Sequence, residues 1–299
     1  MSDEANGHDG PDTSATPARG GVLVAVDGSE ASERSLRWAA READRRGTSL
    51  TIVHCYYWPS SGLGAMDAIG FLMDGLAKDS ADILSAAEAS VTSAMPDLTV
   101  TVESHLGAPV ATLVDMSSRF DLVVVGSRGL GGFKGMLLGS VSTGVVANAL
   151  SSVVVVRGEI DENDTVAPVV VGVDASPSGQ AALAEAFAAA ERCRCALVAV
   201  HAWQAPSARV TAEQTDEWQK SAAAELDAQI APLAERHPSV TVETVTYQDR
   251  PTAALLARAQ TARLVVVGTR GRSEFTGMLL GSTSRALVQH APCPVMVVR

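Results

Sequence analysis

Apolar residues fall along this chain in two recurring textures. Short unbroken runs, such as "GVLVAV" at 21–26, "DLVVVG" at 121–126 and "SVVVVR" at 152–157, alternate with longer stretches whose apolar positions recur every three or four residues. In "SERSLRWAAREADRR" at 32–46, Leu36, Ala39, Ala40 and Ala43 share one face of a helix. "SLTIVHCYY" at 49–57 reads as a second buried strand, and the Ala-rich stretch around 68–95 as a long core helix. "LTVTVES" at 98–104 alternates as a third strand. "PVATLVDMSS" at 109–118 is a short helix with Pro109 in its first turn. "DLVVVG" is a fourth strand, "SVSTGVVANAL" at 140–150 a helix and "SVVVVR" a fifth strand. Strands alternating with helices, and strands apolar throughout, predict a doubly wound α/β fold whose parallel sheet is covered on both faces.

The rhythm occurs twice. "GGVLVAVDGSEAS" at 20–32 matches "APVVVGVDASPSG" at 167–179. Asp27 and Asp174 are 147 positions apart, as are His54 and His201, whereas Gly126 and Gly268 are 142 apart. The second copy is therefore five residues shorter, with the loss before Ala108-Pro109 and its counterpart Arg250-Pro251. Two long copies predict two like domains, at 20–157 and 167–299. The acidic stretch 158–166 reads as a linker, and the polar segment 1–19 as a disordered tail.

The most repeated piece is a glycine loop. "GSRGLGGFKGMLLGS" at 126–140 and "GTRGRSEFTGMLLGS" at 268–282 agree at ten of fifteen positions. Each loop leaves a buried strand and ends at a helix that opens with Gly-Ser. A helix start offers unpaired N–H groups and partial positive charge, serine adds a hydroxyl, and glycine admits close approach. That combination suits an anion, phosphate above all. Arg128 and Arg270 can add charge. No Gly-Lys pair occurs in the chain, which excludes a Walker A loop. A dinucleotide fingerprint would follow the first strand, where Asp-Gly-Ser and Asp-Ala-Ser stand instead.

Composition narrows the partners. The net charge of −11 disfavours nucleic acid and anionic membranes. No apolar run approaches the ~18 residues of a membrane span. The N-terminus has no basic-then-apolar pattern, so a cytoplasmic protein is expected. The four cysteines match no zinc spacing. The close pair Cys193-Arg-Cys195 reads as small residues where a helix hands over to a strand, with free thiols expected.

The spacing G-x2-G-x9-G-S, in both copies and in the same place, resembles that of ATP-binding universal stress proteins. The likeness extends to the Asp-bearing first strands, the strand-two histidines and the "SSVVVVR" and "CPVMVVR" endings, nearly the whole chain. It implies two Rossmann-like domains of strand order 3-2-1-4-5, with a crevice where the order reverses. By that resemblance, Ala25, Val26 and Asp27 hold the adenosine end of one ATP, and Gly172, Val173 and Asp174 that of a second. Val53 and Val200 would line the adenine pockets. Gly126, Ser127, Arg128, Gly129, Leu130, Gly131, Gly132, Gly139, Ser140 and Val141 would surround one set of phosphates. Gly268, Thr269, Arg270, Gly271, Arg272, Gly281, Ser282 and Thr283 would surround the other. Whether Mg²⁺ joins the phosphates near Asp27 and Asp174 stays open.

Three functions remain in play: an ATP-binding stress-response regulator, a slow ATPase, and a structural pseudo-dimer with one working half. No paired carboxylates or clear general base mark the site, so any turnover should be slow. His54 and His201 read as strand-end histidines rather than catalysts. Lys134 becomes Thr276, and Gly131-Gly132 becomes Ser273-Glu274, so the second site should bind phosphate more weakly. The apolar fifth strands should lie at sheet edges and join the halves to each other, and through those edges a second chain.

Overall fold

The computed structural model describes residues 20–57, 66–131, 137–158, 166–203, 211–248, 250–271 and 280–299. The expected tail at 1–19 and most of the expected linker lie outside them. In the first half the order is β1 (Val22–Ala25), α1 (Glu30–Arg46), β2 (Leu50–Tyr56), α2 (Met66–Ala94), β3 (Val100–Leu106), α3 (Pro109–Met116), β4 (Leu122–Gly126), α4 (Ser140–Asn148) and β5 (Ser152–Val156). The second half repeats it as β6 (Val169–Gly172), α5 (Pro177–Cys193), β7 (Leu197–Trp203), α6 (Ala212–Arg236), β8 (Val242–Gln248), α7 (Pro251–Arg258), β9 (Leu264–Gly268), α8 (Ser282–His290) and β10 (Val295–Val298). Among the described residues no helix is long and apolar enough to cross a membrane.

The strands form one ten-stranded sheet in the order β3-β2-β1-β4-β5-β10-β9-β6-β7-β8. Each half thus has the expected 3-2-1-4-5 order, parallel throughout. The apolar runs are explained by two cores. Val22, Val24 and Val124 point to one face, against Leu36, Ala39, Ala40 and Ala43 of α1. Leu23, Val123 and Val125 point to the other, with Leu113 of α3 and Val145 of α4. A strand covered on both faces has no position left for a polar residue, and each fully buried Val or Leu contributes about 1.5–3 kcal/mol. Among the described strands only the outermost, β3 and β8, have no buried residue, as suits sheet margins.

The capping residues follow from the sequence. Ser29 accepts from the Ser32 N–H, and Ser176 from the Gly179 N–H, starting α1 and α5. Gly47 ends α1 in the left-handed conformation at φ 63°; Arg194 ends α5 in the same conformation at φ 51°.

The halves meet where β5 and β10 pair antiparallel, with Val153 opposite Val297, Val154 opposite Met296 and Val155 opposite Val295. Residues 154 and 296 are the same position in the two copies. The register therefore centres a pseudo-two-fold axis between them. Two arginines obey it: Arg157 donates to the Val288 carbonyl and Arg299 to the Val146 carbonyl, both at 2.6 Å. A second contact lies between α1 and α5. There Arg46 and Arg192 each bridge Glu42 and Glu185, and the Glu42 side chain is only 4% exposed. The expectation of a further homodimer through the fifth strands is corrected here. Both are interior strands, paired on each side, so neither offers a free edge.

Candidate functional site

Each half holds a cavity at the carboxyl ends of its first and fourth strands, about 510 Å³ in the first and 660 Å³ in the second. The crevice lies where strand order reverses, between β1 and β4 and between β6 and β9.

Asp27 leaves β1 into the first cavity. One carboxylate oxygen accepts from the Ser29 N–H and the other from the Leu130 N–H, each at 3.0 Å. The aspartate therefore closes the turn into α1 and clasps the glycine loop. Gly129 sits against it, and a Cβ there would come within 2.2 Å of the carboxylate. In the second half Asp174 accepts from the N–H and hydroxyl of Ser176. Gly271 and Gly179 pack on its two oxygens.

The glycines at the strand ends have a packing reason. A Cβ at Gly126 would lie 3.0 Å from the Ala31 carbonyl oxygen, and one at Gly268 would lie 2.7 Å from the Ser178 backbone. They let α1 and α5 approach the sheet. The loops close on themselves through Gly139 N–H to the Ser127 carbonyl at 2.8 Å and Gly281 N–H to the Thr269 carbonyl at 2.7 Å. Ser142 and Ser284 then pin the following helices by donating to the Gly126 and Gly268 carbonyls, both at 2.6 Å.

What results is an open helix start in each cavity. The N-caps of α4 and α8, Gly139 and Gly281, make no side-chain cap, unlike the serines that start α1 and α5. The first-turn N–H groups have neither intrahelical nor capping partners, and the dipole adds positive potential. Arginines reinforce it. Arg157 is held below the ordinary guanidinium range by burial and then by Arg128; Arg299 is lowered in the same way, by burial and then by Arg270.

Of the residues expected at the first site, Ala25, Val26, Asp27, Gly126, Arg128, Gly129, Leu130, Gly131, Gly139, Ser140 and Val141 line one cavity. At the second, Gly172, Val173, Asp174, Val200, Gly268, Arg270, Gly271, Gly281, Ser282 and Thr283 line the other. Ser127 and Thr269 do not: both are buried and serve the loop through their backbones. Val53 is displaced as well. It is wholly buried beneath the cavity, and Cys55, two residues further along the same face of β2, lines it instead. Gly132 and Arg272 lie outside the described residues, as do Lys134, Ser273, Glu274 and Thr276, on which the expected inequality of the sites rests.

Sequence reasoning missed part of each wall. Ile83, Pro109 and Leu113 line the first cavity, and Arg250, Thr252 and Leu255 the second. The signal was present in Ala108-Pro109 and Arg250-Pro251, since the helix after strand three begins beside the crevice. The histidines also reach the cavities, in different ways. His54 Nδ1 pairs with the Ser80 hydroxyl at 2.8 Å, and burial lowers its pKa against the opposing pull of Asp27. His201 Nδ1–H donates to the Val173 carbonyl at 2.9 Å.

Comparison with known proteins agrees with this architecture. The model of the universal stress protein family matches residues 20–157 and 166–299. A universal stress protein of Mycolicibacterium smegmatis is 36% identical over 292 residues, covering 93% of this chain and 97% of the relative. One of Mycobacterium tuberculosis is 37% identical over 295 residues, covering 93% and 96%. The crystal structure of a universal stress protein from Archaeoglobus fulgidus superposes with a TM-score of 0.69 at 22% identity, covering 93% of this chain and 98% of that one, a likeness of fold.

Proposed function

This chain belongs to the universal stress protein family, and from that premise we propose that it is an ATP-binding stress-response regulator with one nucleotide site in each half. One observation carries the reading. Two helix starts without side-chain caps, α4 and α8, open into cavities lined by a glycine loop, an arginine and an aspartate. Serines cap α1 and α5, whereas α4 and α8 are left open; α3 and α7 also lack side-chain caps but begin with Pro109 and Pro251, which have no N–H to offer a ligand. Both cavities fall within the roughly 300–1,000 Å³ of small-molecule sites. Phosphates suit the open N–H groups, with Arg128 or Arg270 alongside. Ile83, Leu113 and Val125 offer an apolar wall for the adenine in the first half, and Val200, Leu255 and Val267 in the second.

Regulation through nucleotide-dependent shape fits this site better than turnover. Asp27 already gives both oxygens to backbone N–H groups. His54 gives Nδ1 to Ser80. Mg²⁺, if it accompanies ATP, would be held chiefly by the phosphates. The working place is the cytoplasm.

Proline at the first helical residue tests the reading cleanly. Ser140 and Ser282 are those residues, and the glycines before them have ψ of 157°, which a following proline tolerates. Ser140→Pro and Ser282→Pro each remove one N–H and one hydroxyl while keeping the helix start. Native mass spectrometry of the parent should find about two ATP per chain, and each variant should weaken one site by roughly tenfold or more, the share of a lost charge-assisted bond. No binding by the parent to added Mg-ATP, with both variants folded, overturns the proposal.

A further inference from the structure

The described residues contain one close pair of thiols, Cys193 and Cys195. Cys193 is the last residue of α5, and Cys195 stands just before β7. Between them Arg194 takes the left-handed conformation, φ 51° and ψ 44°. The turn is fixed by two N–H groups, Arg194 to the Glu191 carbonyl at 3.0 Å and Cys195 to the Ala190 carbonyl at 3.1 Å. This geometry sets the two thiols on either side of a single residue, close enough for each to shift the other's pKa. Both residues are half-buried, so small oxidants can reach them. The first half has Arg46, Gly47 and Thr48 at the equivalent positions, so the pair belongs to the second half alone.

Its setting is the contact between halves. Arg45 and Glu42 of α1 and Arg263, just before β9, face Cys193. The adjacent Arg192 bridges Glu42 and Glu185. Two cations against one carboxylate, itself held by two arginines, leave a net positive setting for a thiolate.

We infer that Cys193 and Cys195 form a peroxide-responsive dithiol, Cys193 the attacking thiolate and Cys195 the resolving thiol. The Cys193 sulfur attacks one oxygen of hydrogen peroxide. An S–O bond forms, the O–O bond breaks, and hydroxide leaves, giving a sulfenic acid. The Cys195 sulfur then attacks the sulfenic sulfur. An S–S bond forms, and the hydroxyl departs as water with the proton Cys195 gives up. Two thiols are oxidised to one disulfide, and the peroxide is reduced to water.

The roles follow from the surroundings. The neighbouring Cys195 thiol first, then Arg263 and Arg45, hold the Cys193 pKa below the ordinary thiol range, although burial and Glu42 oppose them. Cys195 is raised, first by the neighbouring Cys193 and then by burial. Burial pushes Cys293 up to about 12 and also raises Cys55. The disulfide removes the negative charge that faces Arg45 and Arg263, one residue from the Arg192 bridges. The inference is independent of nucleotide binding and survives its failure.

The test uses the full, reduced chain and hydrogen peroxide at neutral pH, followed by alkylation and intact mass measurement. Two of the four cysteines should stop accepting the alkylating agent, with the loss of two hydrogens mapped to Cys193 and Cys195. Cys195→Ser should accumulate a sulfenic acid at Cys193 that a 1,3-dione traps. Cys193→Ser should react about tenfold or more slowly, since only the thiolate attacks. The parent's rate should rise with pH as Cys193 ionises, and do so below the range of an ordinary thiol. Retention of all thiols after excess peroxide, earlier oxidation at Cys55 or Cys293, or an unchanged rate in Cys193→Ser overturns the inference. The parent's own thiol map decides it even where a variant misfolds.

Discussion

Arg194 shows how much one residue can say. A left-handed conformation is strained for any residue with a Cβ, and the first half meets the same turn with Gly47. Arg194→Gly should therefore raise unfolding free energy by about 0.5–1 kcal/mol, read from urea denaturation. His54 makes a different prediction. Its folded pKa lies below the ordinary 6.5, because burial disfavours the imidazolium. The unfolded chain then takes up the proton first as pH falls. The stability His54 contributes is present above about 6.5 and is lost as pH drops towards the folded value. Thermal denaturation between pH 7 and about 5 should show this loss, and His54→Gln should reduce its slope. Much at this scale was legible in advance. The aspartates and the glycine spacing stand at the strand ends that the repeat marked. The double use of Asp27 was not legible, because a bond between residues 27 and 130 depends on tertiary approach.

The elements were the easiest part to read. A run such as Leu122–Gly126 has no polar face, so it must be covered twice, and the helices supply the cover. Where the reading slipped, the cause was depth rather than type. Val53 has the right side of the right strand but lies one step too far under the sheet's carboxyl end. The Ala-rich α2 was read as core only, yet Ile83, in the interior of that helix, reaches the first cavity. The α1–α5 contact was invisible from either helix alone. Glu42 is nearly buried between Arg46 and Arg192. Glu42→Ala strands two guanidiniums on a single remaining carboxylate and should cost about 3 kcal/mol in urea unfolding. A loss below the error of that measurement would make the network a surface ornament.

The whole molecule is organised by its seam. An antiparallel pairing centred on equivalent residues, with Arg157 and Arg299 reaching across in matching fashion, has the self-complementarity of a two-fold interface. Such an interface does not depend on a covalent connection. A protease site placed between residues 159 and 165, once cut, should leave the two pieces eluting together in gel filtration at the parent volume. Separation of the pieces would show that the connection, rather than the sheet, holds the halves. The seam also bears on what the chain could become. In a dimer of identical subunits every substitution appears twice, so a change that suits one side must be endured by the other. Joining the copies in one gene lifts that constraint. The second half can place Arg250 where the first keeps Ala108, and Cys193 and Cys195 where the first keeps Arg46 and Thr48. A symmetric architecture thereby becomes heritable with two separately mutable sides, each free to specialise while the other keeps the shape of both.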